Sequence, residues 1–313
     1  MNCALCPRNC DVDRETTLGL CGMGWRPVVA KTMIHSWEEP PISGSRGSGA
    51  VFFAGCGLGC AYCQNYEISQ WTRGARPYGL NSEVNQSSVG ARMARLNTDR
   101  PLTAGDLVAI FFRLADQHVH NINLVTAAHF VPAVAEAIEA AKKRGFPLPF
   151  VYNSSGYEKV ETLRRLDGLI DIYLPDIKYC NSEPARRYSH APDYFAVASA
   201  AVLEMRRQVG DLICDGEGIG QKGLIIRHLV LPGQRKDSMA ILDWIAANLP
   251  RTAVSLLAQY TPVHRAAEFP EINRRVTTFE YQSVVDHFWE AGLTNGYTQD
   301  RRAAVREYIP DWS

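Results

Sequence analysis

The sequence predicts an α/β chain: a partial (β/α)6 barrel preceded by a small cysteine-rich lobe. Two observations point there. From residue 50 onward six short apolar runs alternate with helical patterns, as a parallel sheet covered on both faces requires. Ahead of them, residues 1–49 are rich in Cys, Pro, Gly and Ser and carry no such alternation. Parallel βα units cross over with one hand, so six in succession close or nearly close into a barrel.

Residues 1–49 read as an irregular lobe whose glycine-rich end, Gly44-Ser45-Arg46-Gly47-Ser48-Gly49, is a flexible connector. Residues 50–313 form the core. The strands are expected at 50–55, 121–126, 148–152, 169–174, 223–231 and 253–258, each β-branched-rich and short. Thr103 with Asp106 forms a capping pair ahead of Leu107, Ile110, Phe111 and Leu114. Pro132 suits a first helical turn. Ser155 with Glu158 is expected to cap a helix carrying Val160 and Leu163, and Asp237 one carrying Ile241, Trp244 and Ile245. Residues 74–100 are polar without apolar periodicity and read as a surface insertion.

With 313 residues and a formal net charge of zero, composition gives no sign of a dedicated nucleic-acid or membrane binder. No apolar run approaches the roughly 20 residues needed to span a bilayer. The N-terminus lacks a basic and then apolar leader, so the expected location is cytoplasmic. In a reducing compartment nine cysteines do not suggest disulfides, and a core this large needs none. Their distribution points to metal: four lie at 3, 6, 10 and 21, three at 56, 60 and 63, and Cys180 and Cys214 stand alone.

The sharpest motif is Cys56-Gly57-Leu58-Gly59-Cys60-Ala61-Tyr62-Cys63, directly after the first expected strand. Three thiolates in a tight loop hold three irons of a cubane and leave the fourth open. A zinc site short of one ligand, or three buried thiols, is the bland alternative. Cys3, Cys6, Cys10 and Cys21 form a second set, which suits a second [4Fe–4S] cluster or zinc, with a lean towards the cluster as an electron relay. Polar residues recur at the ends of the later strands: Thr126 and His129, Asn153 to Ser155, Asp176 and Lys178, Gln259 and Tyr260. In parallel barrels that end forms the active-site mouth.

Cys-x3-Cys-x-aromatic-Cys after a first strand resembles the signature of the radical S-adenosylmethionine (SAM) superfamily, with Tyr62 in the slot where that family stacks adenine. Gln64-Asn65, the Asp176-Ile177-Lys178 segment and the Arg227…Pro232-Gly233 strand resemble the pyruvate formate-lyase activating enzymes. Residues 1–73 and 101–300 look like their PflX-like branch. The resemblance implies a partial TIM-like barrel of the radical SAM type. It also implies a [4Fe–4S] cluster on Cys56, Cys60 and Cys63, and bound SAM. By the same resemblance Lys178 meets the methionine or ribose portion, and Arg227 lies near the cofactor carboxylate. Asp176 and Asn153 shape a floor where activating enzymes hold a monovalent cation, and Asn153 stands where those enzymes carry an acid. Many members carry Gly-Gly-Glu at the second strand. This chain has Val125-Thr126-Ala127-Ala128-His129, so Thr126 and local carbonyls take over the cofactor amino group.

Only one of Arg227 and His228 can face inward, because neighbours on a strand point to opposite faces. Cys180 reads either as a hydrogen donor near the mouth or as a packed thiol, the plainer choice. The implied partners are a one-electron reductant of flavodoxin or ferredoxin type and a glycyl-radical enzyme whose backbone glycine loses hydrogen. The rival readings are a radical enzyme acting on a small metabolite or another macromolecule, and a non-catalytic iron–sulfur electron carrier or metal-binding module.

Overall fold

In the computed structural model, which describes residues 2–70 and 101–298, the apolar runs assemble into one nine-stranded sheet. β1 (Val29–His35) lies antiparallel to β2 (Ser48–Phe53). Then β3 (Ile122–Val125), β4 (Phe150–Ser154) and β5 (Ile172–Pro175) follow in parallel. β6 (Ile213–Cys214) is an antiparallel flange on β7 (Gly220–Leu229). β7 itself continues the parallel run from β5 into β8 (Ala253–Leu257) and β9 (Gly296–Thr298). β1 and β9 are the two ends of this order, so the barrel is partial. Every residue of β2, β3, β4, β5 and β8 is buried, which is why these strands read as continuous apolar runs.

Each of the six expected strands is present at or within a few residues of its expected bounds. α1 (Pro40–Ser43) and α2 (Tyr66–Ser69) are single turns. α3 (Ala104–Ala115) starts at the reciprocal Thr103/Asp106 capping box that the sequence signals, and α4 (Val131–Lys143) carries its proline in the first turn. α5 (Val160–Leu163), α6 (Ser182–Ser189), α7 (Tyr194–Val209), α8 (Arg235–Asn248) and α9 (Thr278–Glu290) complete the outer layer. Among the described residues no helix is long and apolar enough to cross a membrane.

Three local expectations are corrected. Residues 44–47 are a turn and Ser48 and Gly49 already belong to β2: Gly49 donates to the Asn121 carbonyl at 2.9 Å and Ser48 Oγ donates to Asn121 Oδ1 at 2.5 Å. A Cβ on Gly49 would stand only 3.0 Å from Val119, so glycine here serves close packing. Ser155 and Glu158 cap nothing. α5 follows Lys159 without a side-chain cap, while Glu158 is buried and accepts from the Tyr152 hydroxyl at 2.7 Å. Asp237 lies inside α8 and accepts instead from the Cys180 and Asn181 amides, at 3.0 and 2.6 Å, at the start of α6. The insertion expected at 74–100 lies outside the described residues.

The N-terminal segment packs on the barrel: Cys21, Met23 and Val28 belong to the same apolar core as the strands and helices. Arg14 is buried among them, donating to the Met23 carbonyl at 3.1 Å and to the His129 carbonyl, just past β3, at 2.8 Å.

Candidate active site

The C-terminal ends of the parallel strands open on one cleft of about 230 Å³, and the cysteine loop forms its rim. The chain leaves β2 through Gly55 at φ +81°, where a Cβ would collide with Met23 and the Cys21 carbonyl. The loop is then tied from several sides. Ala61 donates to the Tyr188 carbonyl and accepts from the Arg265 amide, both at 2.8 Å. Gln70 Nε2 donates to the Cys60 carbonyl at 2.9 Å.

Cys56, Cys60 and Cys63 all line the cleft. Cys60 Sγ accepts from Ser189 Oγ at 3.0 Å, and Cys63 Sγ lies 3.3 Å from Ser69 Oγ. Burial, reinforced by Cys60 and Cys56, pushes the Cys63 thiol up to about 12. Such a thiol ionises readily only beside a cation, and three soft thiol donors suit a thiophilic metal centre, zinc or an iron–sulfur cluster. Among the described residues no three His, Cys, Asp or Glu side chains are gathered around the position of one metal ion. Tyr62 also lines the cleft, packed on Tyr260 at 5.7 Å between ring centres. Its hydroxyl begins a chain to Tyr179 (2.7 Å), Ser189 (2.7 Å) and the Cys60 sulfur.

The opposite wall is polar. Arg227 reaches Asp176 Oδ1 through Nε at 3.1 Å, Glu38 Oε2 through Nη1 at 3.2 Å and Asn153 Oδ1 through Nη2 at 2.5 Å. Lys178 Nζ donates to Asp176 Oδ2 at 2.5 Å. Burial alone would raise the Asp176 pKa, but Lys178 and Arg227 outweigh it and hold the carboxyl below its ordinary value. Burial likewise works against the Lys178 ammonium, yet Asp176 and then Cys60 keep its pKa above the ordinary one. Both groups are therefore ionised at neutral pH, and the cleft offers two cations, Lys178 and Arg227, and the carboxyl groups of Asp176 and Glu38 to a zwitterionic ligand.

β7 resolves the choice between neighbours. Arg227 faces the cleft, whereas His228 points away, with Nδ1 2.7 Å from the Ile177 carbonyl and Nε2 2.8 Å from Ser238 Oγ on α8. Burial brings its pKa down to about 4, so it is a neutral packing residue. Asn153, Ser155, Asp176, Lys178 and Gln259 line the cleft as the strand-end reading expects. His129 and Tyr260 are buried outside that lining, and their side chains bond the carbonyls of Ala54 and Ile272. Cys180 faces a separate shallow pocket beside α8. Gly156, at φ +73°, lets the loop after β4 press against the Asp176 carbonyl, which any Cβ would strike.

Thr126 lines the cleft at φ +63°, a conformation that a β-branched residue rarely adopts. Its amide is pinned to the Asn153 carbonyl at 2.9 Å. Such strain costs on the order of 1–3 kcal/mol and collects at functional sites. Thr126→Gly is expected to raise stability to urea by about 1 kcal/mol; an unchanged or lower unfolding midpoint contradicts the strain.

Two residues escape a reading of the sequence. Glu38, just past β1, accepts from Asn123 Nδ2 (2.9 Å), Asn153 Nδ2 (3.2 Å) and Arg227, and so joins β3, β4 and β7 at the cleft floor. The one local hint is its place in Trp37-Glu38-Glu39-Pro40-Pro41, a polar and proline-rich stretch without apolar rhythm. Ser189, the donor to Cys60, ends α6 and has no sequence signal at all.

No family model matches the sequence. "Uncharacterized protein MJ0674" of Methanocaldococcus jannaschii is 29% identical over 286 residues, which is 91% of this chain and 73% of that one. Among solved structures, a domain of pyruvate-formate lyase-activating enzyme from Bacteroides vulgatus superposes at TM-score 0.36 with 13% identity, over 54% of this chain and 91% of that one. A spore photoproduct lyase with bound AdoMet and dinucleoside spore photoproduct gives 0.41 with 15% identity, over 79% and 74%. The catalytic domain of a Pyrococcus furiosus chitinase gives 0.34 with 14%, over 60% and 67%. Overlaps this low extend to unlike proteins, so function has to be read from the site.

Proposed function

We propose that this chain is a radical SAM enzyme. The observation that carries the proposal is the cleft itself: three thiols of one loop face Asp176, Lys178, Arg227 and Asn153 across a single opening at the C-terminal ends of parallel strands. Cys56, Cys60 and Cys63 would hold a [4Fe–4S] cluster. When bound, that cluster supplies the electron that cleaves SAM to methionine and a 5′-deoxyadenosyl radical.

The chain's own residues bind and orient. Lys178 and Arg227 offer charge to the cofactor carboxylate, Thr126 and the neighbouring carbonyls suit its ammonium group, and the Tyr62 ring offers a face to adenine. Leu58, Val125, Leu229 and Leu257 line the same cleft and exclude water from a reactive carbon. No general base is needed.

For the hydrogen donor, the proposed substrate is a backbone glycine of a glycyl-radical enzyme, supported by the resemblance of the Gln64-Asn65 and Asp176–Lys178 segments to activating enzymes. An open-ended sheet suits entry of a peptide loop. The electron would come from a one-electron reductant of flavodoxin or ferredoxin type.

The decisive experiment follows 5′-deoxyadenosine under anaerobic reduction with SAM. Stoichiometric formation supports the enzyme, and none from cluster-loaded protein reduces it to an electron carrier. Deuterium passing from a glycine-labelled partner into 5′-deoxyadenosine supports the activating role, and its absence turns the search to other substrates. Lys178→Ala should weaken SAM binding by roughly 1.5–3 kcal/mol, about tenfold or more. Unchanged affinity in calorimetry would remove Lys178 from the cofactor site.

A further inference from the structure

Four thiols remain outside the proposed reaction. Cys3, Cys6, Cys10 and Cys21 are all free of disulfides, and Cys6 and Cys10 are only half-buried, which is unlike core packing. The segment that carries them has no helix or longer strand among its described residues. It is a set of tight turns. Cys3 donates to Val12 at 2.9 Å and its carbonyl accepts from Asp11 at 3.1 Å, while the Cys6 carbonyl accepts from Asn9 at 3.1 Å. Asn9 and Asp11 both take positive φ, 42° and 51°. These turns fold the thiols towards one another: Cys6 has Cys3, Cys10 and Cys21 as electrostatic neighbours, and Cys21 has Cys3 and Cys10. Two sulfurs already accept from donors of the kind that stabilise metal-bound thiolates. The Leu20 amide donates to Cys10 Sγ at 3.3 Å, and Arg14 Nη1 points at Cys3 Sγ from 3.8 Å.

We propose that Cys3, Cys6, Cys10 and Cys21 bind an auxiliary [4Fe–4S] cluster that relays single electrons to the catalytic loop. Four thiolates saturate a cubane and leave no open iron, so such a centre carries electrons and binds no cofactor. Its position fits that task. Cys6 Sγ stands 3.8 Å from the point where a side chain on Gly57 would begin, inside the Cys56–Cys63 loop. Arg8, two residues after Cys6, locks the two segments together. It donates to the Gly57 carbonyl at 2.9 Å and to the carbonyls of Ser189 and His190 at 3.0 and 2.5 Å. Zinc would add folding energy alone, because it has no redox chemistry. In the relay, one electron enters the auxiliary cluster from a flavodoxin- or ferredoxin-type donor. It leaves for the catalytic cluster, and the auxiliary cluster returns to its oxidised state. Only the destination of the electron rests on the proposed function; cluster binding by the four thiols does not.

The test uses the full chain and a Cys56→Ala, Cys60→Ala, Cys63→Ala variant, both reconstituted anaerobically with iron and sulfide. The variant should keep about half of the iron and sulfide of the unmodified protein. Its reduced cluster should give an electron paramagnetic resonance signal that SAM does not change. In the fully reduced unmodified protein, coupling between neighbouring clusters should broaden the signal, and that broadening should vanish in the variant. A variant that holds zinc, or neither iron nor sulfide, overturns the proposal. Two clusters without magnetic coupling overturn the relay. Equal iron in both proteins supports the auxiliary cluster and removes the catalytic one, whereas one cubane in the unmodified protein and none in the variant does the reverse. If the variant does not fold, Cys6→Ser with Cys10→Ser serves instead. It must lose half of the iron while the remaining cluster still responds to SAM, and full retention of iron overturns the proposal.

Discussion

Replacing Cys56, Cys60 and Cys63 by alanine together is expected to abolish the spectral response to SAM and to take 5′-deoxyadenosine formation down to the level seen without protein. On the proposed function this is the largest effect any substitution here can have. The cleavage electron reaches the cofactor only through the cluster, so the loss approaches the whole enzymatic acceleration, typically at least about 10⁶-fold. The variant should stay folded. The loop's own backbone is held at Ala61, which donates to the Tyr188 carbonyl and accepts from the Arg265 amide, and at Cys60, whose carbonyl accepts from the Gln70 side chain; alanine leaves all three bonds in place. Anaerobic reconstitution followed by titration with SAM, with circular dichroism as the folding control, measures the outcome. A SAM-responsive cluster that survives in the folded variant sinks the assignment of these three cysteines.

The largest effect on stability is expected from Arg227→Met. The guanidinium holds Asp176, Glu38 and Asn153 at once, and the residue is nearly enclosed. Its removal leaves the half-buried carboxylates of Asp176 and Glu38 without their shared cation, with Lys178 remaining beside Asp176. Deleting one partner of a fully buried pair costs about 3–5 kcal/mol, so the loss at this half-buried site should reach at most that figure, which urea unfolding of the two proteins measures directly. Adding Glu38→Gln should recover part of the loss, since the orphaned charge goes with it. The pH dependence has a definite sign. Asp176 is held below its ordinary value of 3.8, so its ionised form stabilises the fold fully above that pH. The contribution fades as pH falls through the lower folded value. The gap between the unmodified protein and Arg227→Met should therefore narrow on acidification below about 3.8. A gap that stays constant into that range would mean that Arg227 acts by packing and not by charge.

Local pattern made much of this protein legible from its residues in order. Six strands, the Thr103 capping box and the cysteine loop after β2 are short-range features, written in runs of apolar residues, a cap spacing and a ligand spacing. The strand-end position of Asn153, Asp176 and Lys178 followed from the same pattern, because parallel strands bring their C-terminal ends to one side. β1 escaped notice because Val29–His35 is only partly buried and its Lys, Thr and His break the apolar run.

What tertiary structure decided was direction and long-range partnership. Five strands are buried on both faces, so no polar–apolar alternation marks which residues face the cleft; Arg227 points in and His228 out because Asp176 and Glu38 wait on one side and Ser238 on the other. Asp237 looks like a helix cap in sequence, yet the Cys180 and Asn181 amides, from another part of the chain, are the donors that reach it. Glu38 meets Arg227 and Ser189 meets Cys60 across separations of 189 and 129 residues, and no local signal encodes such contacts. The sequence by itself determined which donors the chain owns and on which elements they lie. Only the closing of the sheet determined which of them share one cleft, since a side chain's partner is set by the curvature of strands brought together from distant parts of the chain.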